Sequence, residues 1–288
     1  MYTIVTAFFD IGREHWPYYR RSVQQYLQNA QRTLSLDDYM VIYTEPQYLE
    51  FVAKHRQPYP HKTQIVCMTL QDLPYFKYRK HILDIMLDAN FQKDLVEPIC
   101  PEVRAPFYDV IMWSKVPLVV KTLEENPFNT THFVWLDFGI HAHMLQESML
   151  SKPLLNAVPD KIKLLCCSYP ISEDLDIQSF YKAHAVRLVG AIISGKGEAF
   201  RTLYEYLEEE IQNAFAQRVV GSDQSLLTVI FLKHPELFQL HYGDFPEVII
   251  NYYQVVQNRD FIWSMALSCK NRGDIEAFEE ISRTIADK

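Results

Sequence analysis

Residues 132–143 read HFVWLDFGIHAH. Within this stretch Asp137, Gly139, His141 and His143 alternate, so they share one side if the chain stays extended. A carboxylate with imidazoles can hold a divalent metal, and a glycine lets backbone approach a phosphate. The same residues would also suit a strand end with a helix-capping Asp and two surface histidines. A second chemical group, Asp223, lies in Gly221-Ser222-Asp223-Gln224, and a third, His241, in His241-Tyr242-Gly243-Asp244. A metal hydrolase built on Asp137, His141 and His143 is disfavoured, because no His-Glu-x-x-His or comparably specific ligand spacing occurs.

These groups need a scaffold, and hydrophobic patterning supplies one. The apolar run at 132–136 predicts a buried parallel strand, with Asp137 at its carboxyl end. Open α/β sheets bind ligands just beyond that end. Upstream, strands are predicted at 3–9, 39–44 and 62–69, with helices at 16–34 and 46–55 between them. This β-α-β-α-β order predicts a parallel sheet with right-handed crossovers. Residues 70–107 are irregular apart from an amphipathic segment to about Phe91, led by the basic, aromatic patch Phe76-Lys77-Tyr78-Arg79-Lys80-His81. A helix is predicted over 109–125, with a kink or a later start at Pro117. Lys115 on it could be a surface lysine with a buried stem. Strands follow at 161–169, 186–194 and 238–242, and helices at 198–217 and after Ser222 or Asp223, either of which suits an N-cap. From Asp260 the spacing predicts a helical hairpin turning at Asn271-Arg272-Gly273-Asp274. The expected organisation is a main domain over 1–258 with the hairpin, 259–288, packed on it.

Composition excludes several classes. The formal charge of −8 over 288 residues argues against a general nucleic-acid or anionic-membrane binder. Only eight glycines occur, with no G-x-G-x-x-G and no G-x-x-x-x-G-K-[ST], so a bound nucleotide is held by neither a Rossmann fingerprint nor a P-loop. Five cysteines without a CxxC predict reduced thiols, with Cys166 and Cys167 on opposite faces of a strand. No apolar stretch approaches the length of a membrane span, and MYTIVTAFF lacks secretory-signal features. The expected location is cytoplasmic, with at most peripheral contact with the inner membrane.

A nucleotide-sugar glycosyltransferase needs such parts: a nucleoside cleft at the first strand's end, cations or a metal for the departing diphosphate, and a group near the anomeric carbon. VTAFFDIGR at 5–13, WLDFGIH at 135–141, GSDQSLL at 221–227 and HYGDF at 241–245 resemble the HtrL/YibB (WlaTC/HtrL) group of candidate bacterial glycosyltransferases, over about residues 1–255. The resemblance implies a GT-A-like, mostly parallel sheet flanked by helices. It also implies transfer from a UDP- or GDP-sugar to a glycan or lipid-linked glycan acceptor, in building cell-surface polysaccharide or lipopolysaccharide.

Carried over motif by motif, the resemblance puts Thr6, Ala7 and Phe8 at the nucleoside cleft with Asp10 and Arg13 nearby. It brings Lys115 towards the donor and matches Asp137 to the first carboxylate of D-x-D. Asp223 and Gln224 match a catalytic acidic or amide pair near the acceptor, and His241 a late histidine metal ligand. The second D-x-D carboxylate is absent, with Gly139 in its place. Either His141 or His241 then completes a Mn²⁺ or Mg²⁺ site with Asp137, or Arg13, Lys115 or Arg79 supplies the cation without metal. The alternative to an enzyme is a catalytically inactive GT-A domain serving as a binding or scaffold protein.

Overall fold

The computed structural model describes residues 1–140, 158–245 and 258–286. The first third is the expected alternation: β1 (Tyr2–Phe8), α1 (Val23–Leu34), β2 (Met40–Thr44), α2 (Leu49–Arg56) and β3 (Thr63–Cys67). Helix α1 starts later than the apolar spacing predicts. Ser22 supplies the reason: its hydroxyl accepts the Gln25 N–H at 3.2 Å while Gln25 Oε1 accepts the Ser22 N–H at 2.9 Å, a reciprocal cap that sets the first turn. Residues 13–15 instead form a separate 3₁₀ turn after Gly12, whose φ of 68° is the left-handed region.

After the short helices α3 (Arg79–Met86) and α4 (Ala89–Gln92), α5 (Pro106–Glu125) precedes β4 (His132–Leu136). The later start of this helix does not occur. Pro106 takes the first-turn position that tolerates proline, and the helix continues through Pro117 as one element. The rest comprises β5 (Ile162–Cys166), α6 (Ile177–Phe180), β6 (Leu188–Lys196), α7 (Gly197–Ala216), α8 (Asp223–Lys233), β7 (Phe238–Tyr242) and the hairpin α9 (Arg259–Asn271) and α10 (Ile275–Ala286).

The strands form one sheet in the order β3-β2-β1-β4-β6-β5-β7. All run parallel except β6, which is antiparallel to both its neighbours. The sheet is therefore mixed but mostly parallel, with helices on both faces. One face packs Ile4, Ile42 and Val134 against Ala30, Leu34 and Val52 of α1 and α2. The larger core packs Val5, Phe133 and Leu164 against Trp113, Phe200 and Ile230 of α5, α7 and α8. Ile262, Ala266 and Ile281 of the hairpin enter that same larger core, and Tyr242 donates to Glu280 Oε1 at 2.6 Å. Period-2 alternation sends Cys166 to the larger core and Cys167 to the smaller.

From β1 the chain winds outwards to β2 and β3, then returns across β1 to form β4. Strand order reverses between β1 and β4. That reversal opens a crevice at their carboxyl ends, where residues 5–13 and 135–140 meet.

Candidate active site

A cavity of about 500 Å³ occupies this crevice, within the range usual for small-molecule sites. Its β1 side carries Ala7, Phe8, Asp10 and Arg13, its β4 side Asp137, Phe138 and Gly139, and its α5 side Tyr108, Met112 and Lys115. Phe8 and Phe138 stack at 5.1 Å between centroids and tie the two strand ends together. Gly139 lies under Tyr26: a Cβ there would meet the ring at 3.2 Å. Tyr26 in turn accepts a hydrogen bond from Arg13 Nη1 at 2.6 Å, and the Arg13 guanidinium lies over the rings of Trp16 and Tyr108. Among the described residues Arg13 is thus a cation held by rings, a phenol and the Tyr19 carbonyl rather than by a carboxylate.

Lys115 is buried, not the surface lysine that its sequence also allowed. Its ammonium sits 3.1 Å from Asp137 Oδ1, 2.9 Å from Asp223 Oδ2 and 3.0 Å from the Gly190 carbonyl. Three elements converge on it: the end of β4, the first residue of α8, and the middle of β6. Burial alone would pull the lysine's pKa down, but Asp137 and Asp223 outweigh it and hold the ammonium above its usual range. Two indoles fix the geometry. Trp135 Nε1 donates to Asp137 Oδ1 at 2.7 Å, and Trp113 Nε1 donates to the Gly221 carbonyl at 2.8 Å, locking α5 to the turn that opens α8. Ser222 holds the N-cap position of α8 without a side-chain cap bond, and Asp223 turns to Lys115. Gly190 makes room for it, since a Cβ at that position would lie 2.2 Å from Asp223 Oδ2.

The structure therefore brings Ala7, Phe8, Asp10, Arg13, Lys115, Asp137, Gly139 and Gln224 to one cavity, with Asp223 just behind Lys115. Thr6 is fully buried beneath the cavity floor and does not line it. Arg79 is exposed at the start of α3, its guanidinium over Phe76 and Phe107, and also lies outside the cavity lining. His241 is not brought to Asp137. It sits on β7, and β6 and β5 separate that strand from β4, a span of about 14 Å at the usual strand spacing. Burial, with Lys163 nearby, drives its pKa well below the ordinary imidazole value. His141 and His143 lie outside the described residues.

Asp137 is 34% exposed, so an ion in the cavity can reach it. Mg²⁺-type ions commonly use one or two carboxylates, with waters and substrate phosphates completing the shell. Asp137 as a single carboxylate ligand fits that pattern; a dedicated protein cage of Asp137 with His241 does not form.

Sequence reasoning missed Gly190, although a glycine inside a strand signals close approach. It missed Trp135, two residues before Asp137 and so on the same face of the strand. It also missed a group drawn from distant segments, Cys100, Glu102 and His184, which lines the cavity elsewhere.

Among solved structures the chain is similar to mouse xyloside xylosyltransferase 1 in its apo form, at 16% identity and a TM-score of 0.42, covering 83% of this chain and 84% of that one. It is also similar to 4-diphosphocytidyl-2C-methyl-D-erythritol synthase from Anaerococcus prevotii DSM 20548, at 9% identity and a TM-score of 0.38, covering 93% and 95%. It is 27% identical over 257 residues to Protein HtrL of Escherichia coli (strain K12), spanning 83% of this chain and 87% of the relative. Residues 1–252 match the family described as bacterial protein of unknown function (HtrL_YibB), and the chain belongs to that family.

Proposed function

We propose that this protein is a nucleotide-sugar-dependent glycosyltransferase that moves a sugar to a cell-surface glycan or lipopolysaccharide acceptor. The observation that carries this reading is Lys115: a buried ammonium at the edge of an aromatic-lined cavity, held between two carboxylates at the sheet's reversal point. A departing diphosphate develops negative charge, and preorganised cations at that place stabilise it. Lys115 and Arg13 take that role, while Phe8 and its aromatic neighbours form the nucleoside side.

Asp137 would hold a Mn²⁺ or Mg²⁺ ion together with the donor's phosphates, and that ion would neutralise the diphosphate as it leaves. Asp223 is 5% exposed and packed over Gly190, so it acts as a positioning residue for Lys115. Gln224 is the member of that pair that faces the cavity. Among the described residues no helix is long and apolar enough to cross a membrane, which is compatible with an acceptor reached at a membrane surface.

Calorimetry with UDP- and GDP-sugars, with and without Mn²⁺, tests the reading. Saturable binding strengthened by metal is expected, with the metal effect lost in Asp137→Asn while the melting temperature barely moves. Absence of binding of every nucleoside diphosphate and nucleotide sugar under both conditions would overturn it. One observation favours a non-catalytic binding module instead: Lys115 already pairs with both carboxylates. That module would bind donor yet show neither sugar transfer nor donor hydrolysis.

A further inference from the structure

Cys100, Glu102 and His184 come from two segments far apart in sequence and meet on the cavity wall. A 3₁₀ turn at Pro101–Val103 folds Glu102 back so that its carboxylate contacts Cys100 Sγ. His184 arrives from the stretch after α6 with φ of 50°, a left-handed backbone uncommon for a residue with a side chain. Its Nδ1 lies 3.2 Å from Cys100 Sγ, and one ligand atom from each of the three residues lies within 4.8 Å of the other two. On its far side, His184 Nε2 is 3.5 Å from Glu97 Oε2, and Tyr19 donates to Glu97 Oε1 at 2.5 Å.

Two chemistries use a thiol, an imidazole and a carboxylate in such a chain. The first is a nucleophilic cysteine with histidine as its base, which needs a stabilised thiolate. Here Cys100 is buried with its Sγ against the Glu102 carboxylate, a setting that offers a thiolate no compensating charge. Among the described residues no lysine or arginine forms an ion pair with Glu97 or Glu102. The second chemistry supplies the missing positive charge as a metal ion. Sulfur and imidazole donors select a borderline-soft ion such as Zn²⁺ over Mg²⁺ or Mn²⁺. A tetrahedral Zn²⁺ with bonds of about 2.0–2.3 Å spaces its ligand atoms by roughly 3.3–3.7 Å, close to the Cys100–His184 separation. A metal-binding histidine also characteristically donates its other N–H to a carboxylate, which is the place of Glu97.

We propose that Cys100, Glu102 and His184 form a Zn²⁺ site on the cavity wall, with Glu97 and Tyr19 orienting His184. The site ties residues 97–105 to the segment that follows α6. Its three protein ligands leave a fourth position for water or for an oxygen of a molecule in the cavity. It is separate from Asp137 and does not depend on the glycosyltransferase reading.

Co²⁺ titration of the chelator-stripped full-length protein is the test, followed by displacement with Zn²⁺. One equivalent of Co²⁺ should bind with tetrahedral d–d bands and a thiolate-to-cobalt charge-transfer band. Zn²⁺ should remove both, and excess Mg²⁺ should not. Cys100→Ser should abolish the charge-transfer band. His184→Gln and Glu102→Gln should each lower metal affinity at least about tenfold. Glu102→Gln preserves shape, so it remains informative if Cys100→Ser fails to fold, as judged by circular dichroism. The exposed Cys67 is the control. A band that survives in folded Cys100→Ser but vanishes in Cys67→Ser, or no thiolate band in the native chain, overturns the site. Affinity unchanged in both His184→Gln and Glu102→Gln does the same.

Discussion

Arg56 and Lys115 are both cations with 2% of their surface exposed, yet the fold treats them in opposite ways. Arg56 gives its hydrogen bonds to neutral oxygens: the carbonyls of Leu34, Leu36, Asp38 and Lys62 and the Thr63 hydroxyl. It joins the ends of α1 and α2 to the start of β3, and it lies outside the cavity lining. Lys115 instead faces two carboxylates beside a cavity. A guanidinium surrounded by carbonyls has its charge fully engaged within the structure. An ammonium between carboxylates can shift towards an incoming anion, because one of its partners, Asp137, can be taken over by metal or solvent. Burial alone does not mark a functional charge; the kind of oxygen that compensates it, and what lies beyond, does.

Substitution should separate the two. Arg56→Met strands several carbonyls and is expected to cost at least about 3 kcal/mol of stability. Donor binding by the folded fraction should be unchanged. Lys115→Met leaves Asp223 buried beside a second carboxylate and should cost a comparable ~3–5 kcal/mol. It should also lower turnover by about 10²–10³. Adding Asp223→Asn to Lys115→Met should restore most of the stability and none of the turnover. Denaturant melts and single-turnover assays measure the two effects separately. If the single Lys115→Met variant keeps normal turnover, the contrast fails and Lys115 is structural like Arg56.

Much of the fold around these two cations was readable in the sequence, though the contrast itself was not, and the limits have physical causes. The β-α-β-α-β start, the strand ending at Asp137 and the hairpin at 259–286 follow from local periodicity, which the tertiary structure preserved. Helix α1 was misplaced because the Ser22–Gln25 cap, not the apolar spacing, decides where it begins. Pro117 does not delay the helix: α5 starts at Pro106 and runs through Pro117 as one element, packed against α7, α8 and β4 in the larger core. Asp137 was singled out by its place at a strand end, and Ala7, Phe8, Asp10 and Arg13 by the motif resemblance; all of them line the cavity. The error over His241 came from strand order, which places β7 at the sheet edge and which no single stretch encodes. The Cys100–His184 meeting likewise joins residues far apart in sequence, and no motif spans them.

A smaller effect distinguishes a charge kept from a charge suppressed on the same helix. Asp109 lies six residues before Lys115 on α5, is fully buried, and among the described residues has neither carboxyl oxygen hydrogen-bonded. Burial, then Glu102 and Asp223, push its pKa well above the usual carboxylate range, so it is held as the neutral acid. The sign follows from proton counting. Above about pH 4 the unfolded chain loses this proton while the folded chain keeps it. Stability should therefore fall as pH rises, by up to about 1.4 kcal/mol per unit, until the folded-state pKa is passed. Asp109→Asn, a mimic of the neutral acid, should flatten that slope in denaturant melts at successive pH values. A slope equally steep in Asp109→Asn would show that Asp109 ionises normally.

The mildest contrast is with cations that are not buried at all. Lys77 and Arg79 hold their charges over Tyr78, Phe76 and Phe107, and Lys80 is exposed beside them. Among the described residues none of the three forms an ion pair with a carboxylate, although the chain as a whole carries a charge of −8. Because these residues lie outside the cavity lining, they cannot share Lys115's proposed role at the donor diphosphate. An anionic acceptor, such as a phosphate-linked glycan, is the partner such a patch suits. Neutralising all three to Gln should leave the melting temperature and donor binding unmoved and should raise the acceptor KM several-fold at low salt. At about 1 M salt the Debye length shrinks to about 3 Å, and the difference from the unmodified protein should disappear. An acceptor KM unchanged at low salt would reduce the patch to a solvated turn. A donor affinity that falls instead would mean that the exposed and buried cations serve one ligand, and the division between them would have to be redrawn.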